Sequence, residues 1–126
     1  MTSALSDTKL NEFERELRKL FEDNVTFEMV QRGLYGTDAS VYQIIPLAVI
    51  TPRSVDDLRN VLDVCRRYQV PITARGGGTS QAGQAVGEGV VLDFSKHMNR
   101  LIDFDVESGV VVVEPGMVLA ELNGIM

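Results

Sequence analysis

Apolar side chains recur at three- and four-residue spacing between residues 7 and 23, at Leu10, Phe13, Leu17, Leu20 and Phe21. This period predicts an amphipathic helix over 7–23 that packs by those residues, with Glu14 and Arg18 paired one turn apart on its wet side. The pattern then fails. Gly33-Leu34-Tyr35-Gly36-Thr37-Asp38-Ala39-Ser40 is too rich in glycine for the interior of an element and predicts an irregular connection. The run Ile44-Ile45-Pro46-Leu47-Ala48-Val49-Ile50 follows, and its later part predicts a buried strand. Thr51-Pro52-Arg53-Ser54 closes that strand and opens a second helix, with Ser54 as N-cap and Asp57 three residues on, in the manner of a capping box. Val55, Leu58, Val61, Leu62, Cys65 and Tyr68 form its predicted core face, with Arg59, Asp63, Arg66 and Arg67 outward.

Val70-Pro71-Ile72-Thr73-Ala74 predicts the next strand and leads into a glycine-rich loop. Gly89 to Phe94 predicts another buried strand, and Leu101–Asp105 with Val110–Val113 a hairpin around Val106-Glu107-Ser108-Gly109. Pro115-Gly116 breaks the chain. Met117 to Leu122 begins a helix that Asn123-Gly124 is expected to end almost at once. Strand, helix and strand within about 30 residues suit a right-handed parallel crossover. The expected fold is therefore α/β: a small sheet on a strand–helix–strand crossover, flanked by helices, with an antiparallel portion starting after residue 90.

Composition narrows the class. A chain of 126 residues with 44% hydrophobic content is one domain at most, with enough apolar side chains for a core. Its net charge of −6 and pI near 4.7 argue against a nucleic-acid surface, which needs clustered lysine and arginine. No apolar run approaches the roughly 18 residues of a membrane span, and Met1 to Ser6 carries no apolar signal core. The single cysteine, Cys65, excludes an internal disulfide framework and, on the apolar face of its helix, reads as an inert small hydrophobe. These features set the expectation of a soluble, cytoplasmic polypeptide.

The chemistry concentrates in Arg75-Gly76-Gly77-Gly78-Thr79-Ser80-Gln81-Ala82-Gly83. Glycines let backbone approach a ligand closely, freed N–H groups can converge on an anion, and Thr79 and Ser80 add hydroxyls. The loop is either a phosphate cradle or a plain tight turn. It matches neither common phosphate signature: Gln81 stands where G-x-G-x-x-G from Gly76 needs glycine, and Gln84-Ala85 replaces the Lys-Ser/Thr pair of a P-loop from Gly78. Arg75 can counter phosphate charge or pair with a carboxylate. Asp93, Asp103 and Asp105 show no ligand spacing and read as solvated strand edges, Tyr35 and Tyr42 as packing, and the lone His97 as a surface residue. No catalytic residue and no metal set is assigned.

Several motifs nevertheless follow one another in a recognisable order: Pro46-Leu47-Ala48-Val49-Ile50-Thr51-Pro52, the helix from Ser54, Pro71 through Ser80, Val91-Leu92-Asp93, and Val113-Glu114-Pro115-Gly116. Over roughly residues 34–123 this resembles the N-terminal part of FAD-linked oxidases of the vanillyl-alcohol oxidase and p-cresol methylhydroxylase superfamily. Within it, the 2-hydroxy-acid dehydrogenases (D-lactate dehydrogenase, the flavin subunit of glycolate oxidase, D-2-hydroxyglutarate dehydrogenase) are the most similar. The resemblance implies FAD, with Arg75, Gly76, Gly77, Gly78, Thr79, Ser80, Gly83 and Gln84 along its pyrophosphate and Pro115 and Gly116 near the flavin or ribityl chain. Thr79 stands where some relatives carry a flavin-linked histidine, which implies non-covalent FAD. Asp38 recurs in similar oxidoreductases and is read here as an Asx-turn residue holding the loop. The resemblance divides the chain into an N-terminal helical extension, 1–33, and the N-terminal portion of an FAD-binding domain, 34–126. It implies a piece of an FAD-dependent oxidoreductase of a small 2-hydroxy acid, inactive alone and open to self-association. The alternatives are a stand-alone nucleotide- or phosphate-binding module without redox activity, and an interaction domain whose glycine loop is only a turn.

Overall fold

The computed structural model describes residues 5–37, 44–79 and 87–126. Helix α1 spans Asp7–Phe21, capped by the Ser6 side chain, which accepts from the Lys9 N–H at 3.2 Å. It stops two residues before the predicted end: a 3-10 turn, Glu22–Asn24, bends the chain into a two-residue strand β1, Val25–Thr26. Helix α2, Met29–Leu34, runs through Gly33, where the sequence predicts only irregular backbone. Strand β2 (Ala48–Ile50), helix α3 (Val55–Tyr68), strands β3 (Ile72–Arg75) and β4 (Val90–Asp93), the hairpin strands β5 (Leu101–Asp105) and β6 (Val110–Val113), and helix α4 (Leu119–Ile125) complete the order. Helix α4 continues through Asn123 and Gly124 instead of ending at Leu122. Among the described residues no helix is long and apolar enough to cross a membrane.

The main sheet has the order β1-β2-β4-β3. β1 runs antiparallel to β2, while β2, β4 and β3 are parallel, with Val49 opposite Val91 and Thr73 also opposite Val91. The α3 crossover thus skips a position, and β4 enters the gap between β2 and β3. Being central, β4 is buried along its whole length, as its unbroken apolar Val90-Val91-Leu92 requires. The hairpin forms a separate two-stranded sheet.

Helices α1 and α3 pack together on one face of the main sheet. Phe13, Leu17 and Phe21 of α1 meet Val61, Val64 and Cys65 of α3 above Ala48, Ile50, Val90 and Leu92, and Phe13 stands edge-on to Tyr68 at 5.3 Å. The α1 residues therefore share the sheet's core. The predicted core face of α3 is rotated: Val64 is buried, whereas Val55 and Leu62 are exposed. The helix has more apolar positions here than its neighbours can cover: Val61, Val64 and Cys65 enter the shared core with Leu58 and Tyr68 partly buried beside them, which leaves 55 and 62 on the open flank. Leu20 is exposed in α1 for the same reason.

Candidate phosphate-binding site

Strands β3 and β4 end side by side, with Arg75 the register partner of Asp93 and the Phe94 N–H donating to the Arg75 carbonyl at 3.0 Å. Immediately beyond Arg75 come Gly76, Gly77, Gly78 and Thr79. This is the carboxyl end of a parallel sheet, where successive strands leave unpaired backbone that open α/β folds use for ligands.

Gly78 has φ +71°, a left-handed conformation that L side chains rarely adopt. The Cβ of any residue placed there would also come within 2.5 Å of Arg75 Nη2. At Gly77 a Cβ would meet only the Thr79 methyl, at 3.8 Å; Gly77 and Thr79 are exposed, so the loop is open to a ligand on that side. Pro115, on the turn after β6, brings its carbonyl to the side of the loop, 3.5 Å from where a Gly76 Cβ would lie. That turn is wedged in place by Gly116, whose N–H donates to the Met98 carbonyl at 2.8 Å. The Phe94 and Met98 carbonyls leave no room for a Gly116 side chain.

Beneath the loop lies a polar support. Arg75 folds back, its Nη1 donating to the Thr37 carbonyl at 2.8 Å and to the Tyr35 carbonyl at 3.3 Å, with its guanidinium 5.1 Å from the centre of the Tyr35 ring. The Tyr35 hydroxyl donates to Asp93 Oδ2. Asp93 Oδ1 in turn accepts from the Ser95 N–H at 2.8 Å and the Ser95 hydroxyl at 2.6 Å. Burial, the hydrogen bond to Asp93 and that carboxylate's charge push the Tyr35 phenol up from its ordinary value, against the opposing charge of Arg75. Tyr35 is accordingly a neutral donor.

The sequence expectations meet this geometry unevenly. Arg75, Gly76, Gly77, Gly78, Thr79 and Pro115 are brought together; Ser80, Gly83 and Gln84, like Asp38 and Tyr42, lie outside the described residues. Asp93 is not a solvated strand edge: it is 3% exposed, because it ends the central strand and is capped by Tyr35 and Ser95. Tyr35 does more than pack. Nothing local marks either residue, which stand 58 positions apart in sequence; the one available signal is an acidic residue closing an all-apolar strand. His97 is partly buried in the turn after β4. Among the described residues no group of three or more His, Cys, Asp or Glu could hold a metal. A cleft of about 390 Å³ also touches Tyr35, lined by Arg18, Asn24, Gln31 and Lys96 among others, but it does not include the glycine loop.

The loop suits a phosphate group: exposed backbone at Gly77, a left-handed glycine at Gly78 and a hydroxyl at Thr79. A family model described as "FAD binding domain" matches residues 46–125. The D-2-hydroxyglutarate dehydrogenase of Escherichia coli K12 is 41% identical over 106 residues, covering 82% of this chain and 10% of that protein. Glycolate oxidase subunit GlcD of Bacillus subtilis is 37% identical over 93 residues, covering 72% of this chain and 20% of that protein. The chain thus spans between 10% and 20% of the length of these relatives. Among solved structures, p-cresol methylhydroxylase with substrate bound superposes over 99% of this chain and 26% of its own, with TM-score 0.87 and 25% identity. Alkyldihydroxyacetonephosphate synthase, at 21% identity, has the same fold, with TM-score 0.79 over 91% of this chain and 24% of its own. With the glycine loop, its parallel strands and the Pro115 turn all inside the matched region, the chain belongs to the FAD-binding domain family of FAD-linked oxidoreductases.

Proposed function

We propose that this chain is the N-terminal cofactor-holding part of an FAD-dependent oxidoreductase that oxidises a 2-hydroxy acid such as D-lactate, glycolate or 2-hydroxyglutarate. The observation that carries the reading is the glycine loop at the carboxyl end of β3, exposed at Gly77 and Thr79, in a segment aligned with D-2-hydroxyglutarate dehydrogenase and glycolate oxidase relatives. The backbone of Gly76, Gly77, Gly78 and Thr79 holds the pyrophosphate, with Ser80, Gly83 and Gln84 extending the contact and Pro115 bounding it. With no histidine in the loop, FAD is held non-covalently. When bound, FAD supplies the two-electron acceptor of the reaction. The share of this chain is to hold and orient: backbone N–H groups fix the pyrophosphate, each worth about 0.5–1.5 kcal/mol net when neutral and more when the acceptor is charged. Residues 34–126 carry that role, and α1 and β1 of the N-terminal extension brace the sheet behind it. The chain by itself is expected not to oxidise D-lactate, glycolate or 2-hydroxyglutarate when given FAD and a dye acceptor.

Gly77→Val provides the test, since its Cβ meets little of the protein itself and a loss of binding then reports on ligand approach. FAD added to the labelled chain should shift the amide NMR signals of Gly76 to Thr79, and Gly77→Val should abolish those shifts without lowering the unfolding midpoint. Shifts absent at saturating FAD, or unchanged in the variant, would overturn the reading.

A further inference from the structure

Arg75 looks at first like the cation that meets the phosphate charge, and its position at the mouth of the loop invites that reading. The geometry points elsewhere. Its guanidinium lies under Gly78, close enough that a Cβ there would meet Nη2, Cζ and Nε at 2.5, 2.9 and 3.0 Å. Its Nη1 is given to the Thr37 and Tyr35 carbonyls, and its Cζ lies over the Tyr35 ring, 5.1 Å from the ring centre. That ring is held by its hydroxyl on Asp93, and Asp93 is the strand partner of Arg75 on β4. The contacts form a closed circuit: β3 to guanidinium, to tyrosine ring, to β4, and back to β3 through the sheet.

We propose that Arg75 is a positioning residue that sets the shape of the phosphate loop from below, with Tyr35 as its rest and Asp93 as the anchor of that rest. This deepens the proposed function and rests on it for the identity of the ligand. The physical reason for arginine is the reach and planar width of its guanidinium: Nη1 donates to the two carbonyls while Nη2, Cζ and Nε fill the space under Gly78, a volume that the compact lysine ammonium does not occupy. The left-handed φ at Gly78 follows from the same arrangement, because the chain must arch over the guanidinium. An arched loop fixed before binding does not have to be ordered by the ligand, which raises affinity without adding a contact to it.

The experiment compares the wild-type chain with Arg75→Lys and Arg75→Ala, using folded content by circular dichroism, amide and guanidinium NMR relaxation without ligand, and titration with FAD and with inorganic pyrophosphate. A strut predicts that Arg75→Lys, which keeps the charge, loosens the Gly76–Gly78 amides as much as Arg75→Ala and weakens both ligands about tenfold. Should Arg75→Ala not fold, the lysine variant decides alone. Wild-type order and affinity in Arg75→Lys would show that Arg75 acts as a charge, and would overturn the proposal. Failure of the wild type to bind FAD or pyrophosphate would sink the cofactor reading instead. The strut would then still be judged by whether the free loop loses order in Arg75→Lys.

Discussion

Glu114 is the residue whose charge state most directly supports the site's architecture. It is buried, while its carboxylate oxygens accept from Arg100 Nε at 2.7 Å, the Arg100 N–H at 3.0 Å and Arg100 Nη2 at 3.2 Å. The Arg100 side-chain bond holds the Glu114 carboxyl below its ordinary value, against the opposing effect of burial. A carboxyl with a lowered native pKa stabilises the fold fully above its unfolded pKa of about 4.3 and loses that contribution as pH falls through the native value. Urea midpoints followed from neutral to acid pH should therefore fall less steeply in Glu114→Gln than in the wild type; parallel curves would show the pair to be neutral. Next to it, Gly116→Ala places a Cβ 2.0 Å from the Phe94 carbonyl oxygen, which backbone cannot yield to cheaply. The expected cost is about 2–4 kcal/mol by urea denaturation. Cys65, 1% exposed, has its thiol pushed up to about 12 by burial. It should resist a thiol reagent at neutral pH until urea unfolds the chain.

At the scale of the element, α3 shows how local and tertiary terms divide. Its start is a local matter: Ser54 Oγ accepts from the Asp57 N–H at 3.2 Å and Asp57 Oδ2 from the Arg53 N–H at 3.0 Å. Ser54→Ala should cost about 1 kcal/mol and Ser54→Asp close to nothing, read from thermal or urea unfolding. Which face it buries is not local. Leu62→Gln, on the exposed flank, should change stability by less than about 0.5 kcal/mol, whereas Val61→Ala, fully buried, should cost about 1–3 kcal/mol. Equal effects for the two would mean that α3 buries a different face. The Glu14–Arg18 pair, with Arg18 Nη2 at 2.7 Å from Glu14 Oε1, follows from helical spacing alone. By contrast, α2 and the last turn of α4 override their glycines, since a helix tolerates one at roughly 1 kcal/mol when its neighbours supply more.

Across the whole molecule the balance of covered and uncovered apolar surface is uneven. Ile102, Phe104, Val110 and Val112 of the hairpin, and Leu119 and Ile125 of α4, are exposed. We expect the chain to self-associate at high concentration, and Ile102→Lys with Val112→Lys to reduce that association in light scattering; a monomer at every concentration would contradict this. FAD affinity should be looser than about a micromolar, which corresponds to roughly 8 kcal/mol. A few backbone bonds to a charged pyrophosphate, at about 1.5–3 kcal/mol each, do not supply that from a loop alone once about 4–15 kcal/mol of lost translational and rotational freedom is set against them. Tighter binding by calorimetry, lost in Gly77→Val, would place more of the site in this chain than the geometry gives it.

What the amino-acid order determines by itself is what depends on neighbours in sequence. The periods of α1 and α3, the Ser54 cap, the apolar run of β4, the hairpin turn at Gly109 and the glycine loop after β3 all rest on spacing and backbone freedom within a few residues. The tertiary structure alone decides what depends on distant partners. The placement of β4 between β2 and β3, the burial of Asp93, the union of Tyr35 with it, and the turn of Arg75 beneath Gly78 each require segments separated by tens of residues to meet. No local propensity encodes such meetings, because their free energy comes from burial and from pairing polar groups that burial would otherwise strand.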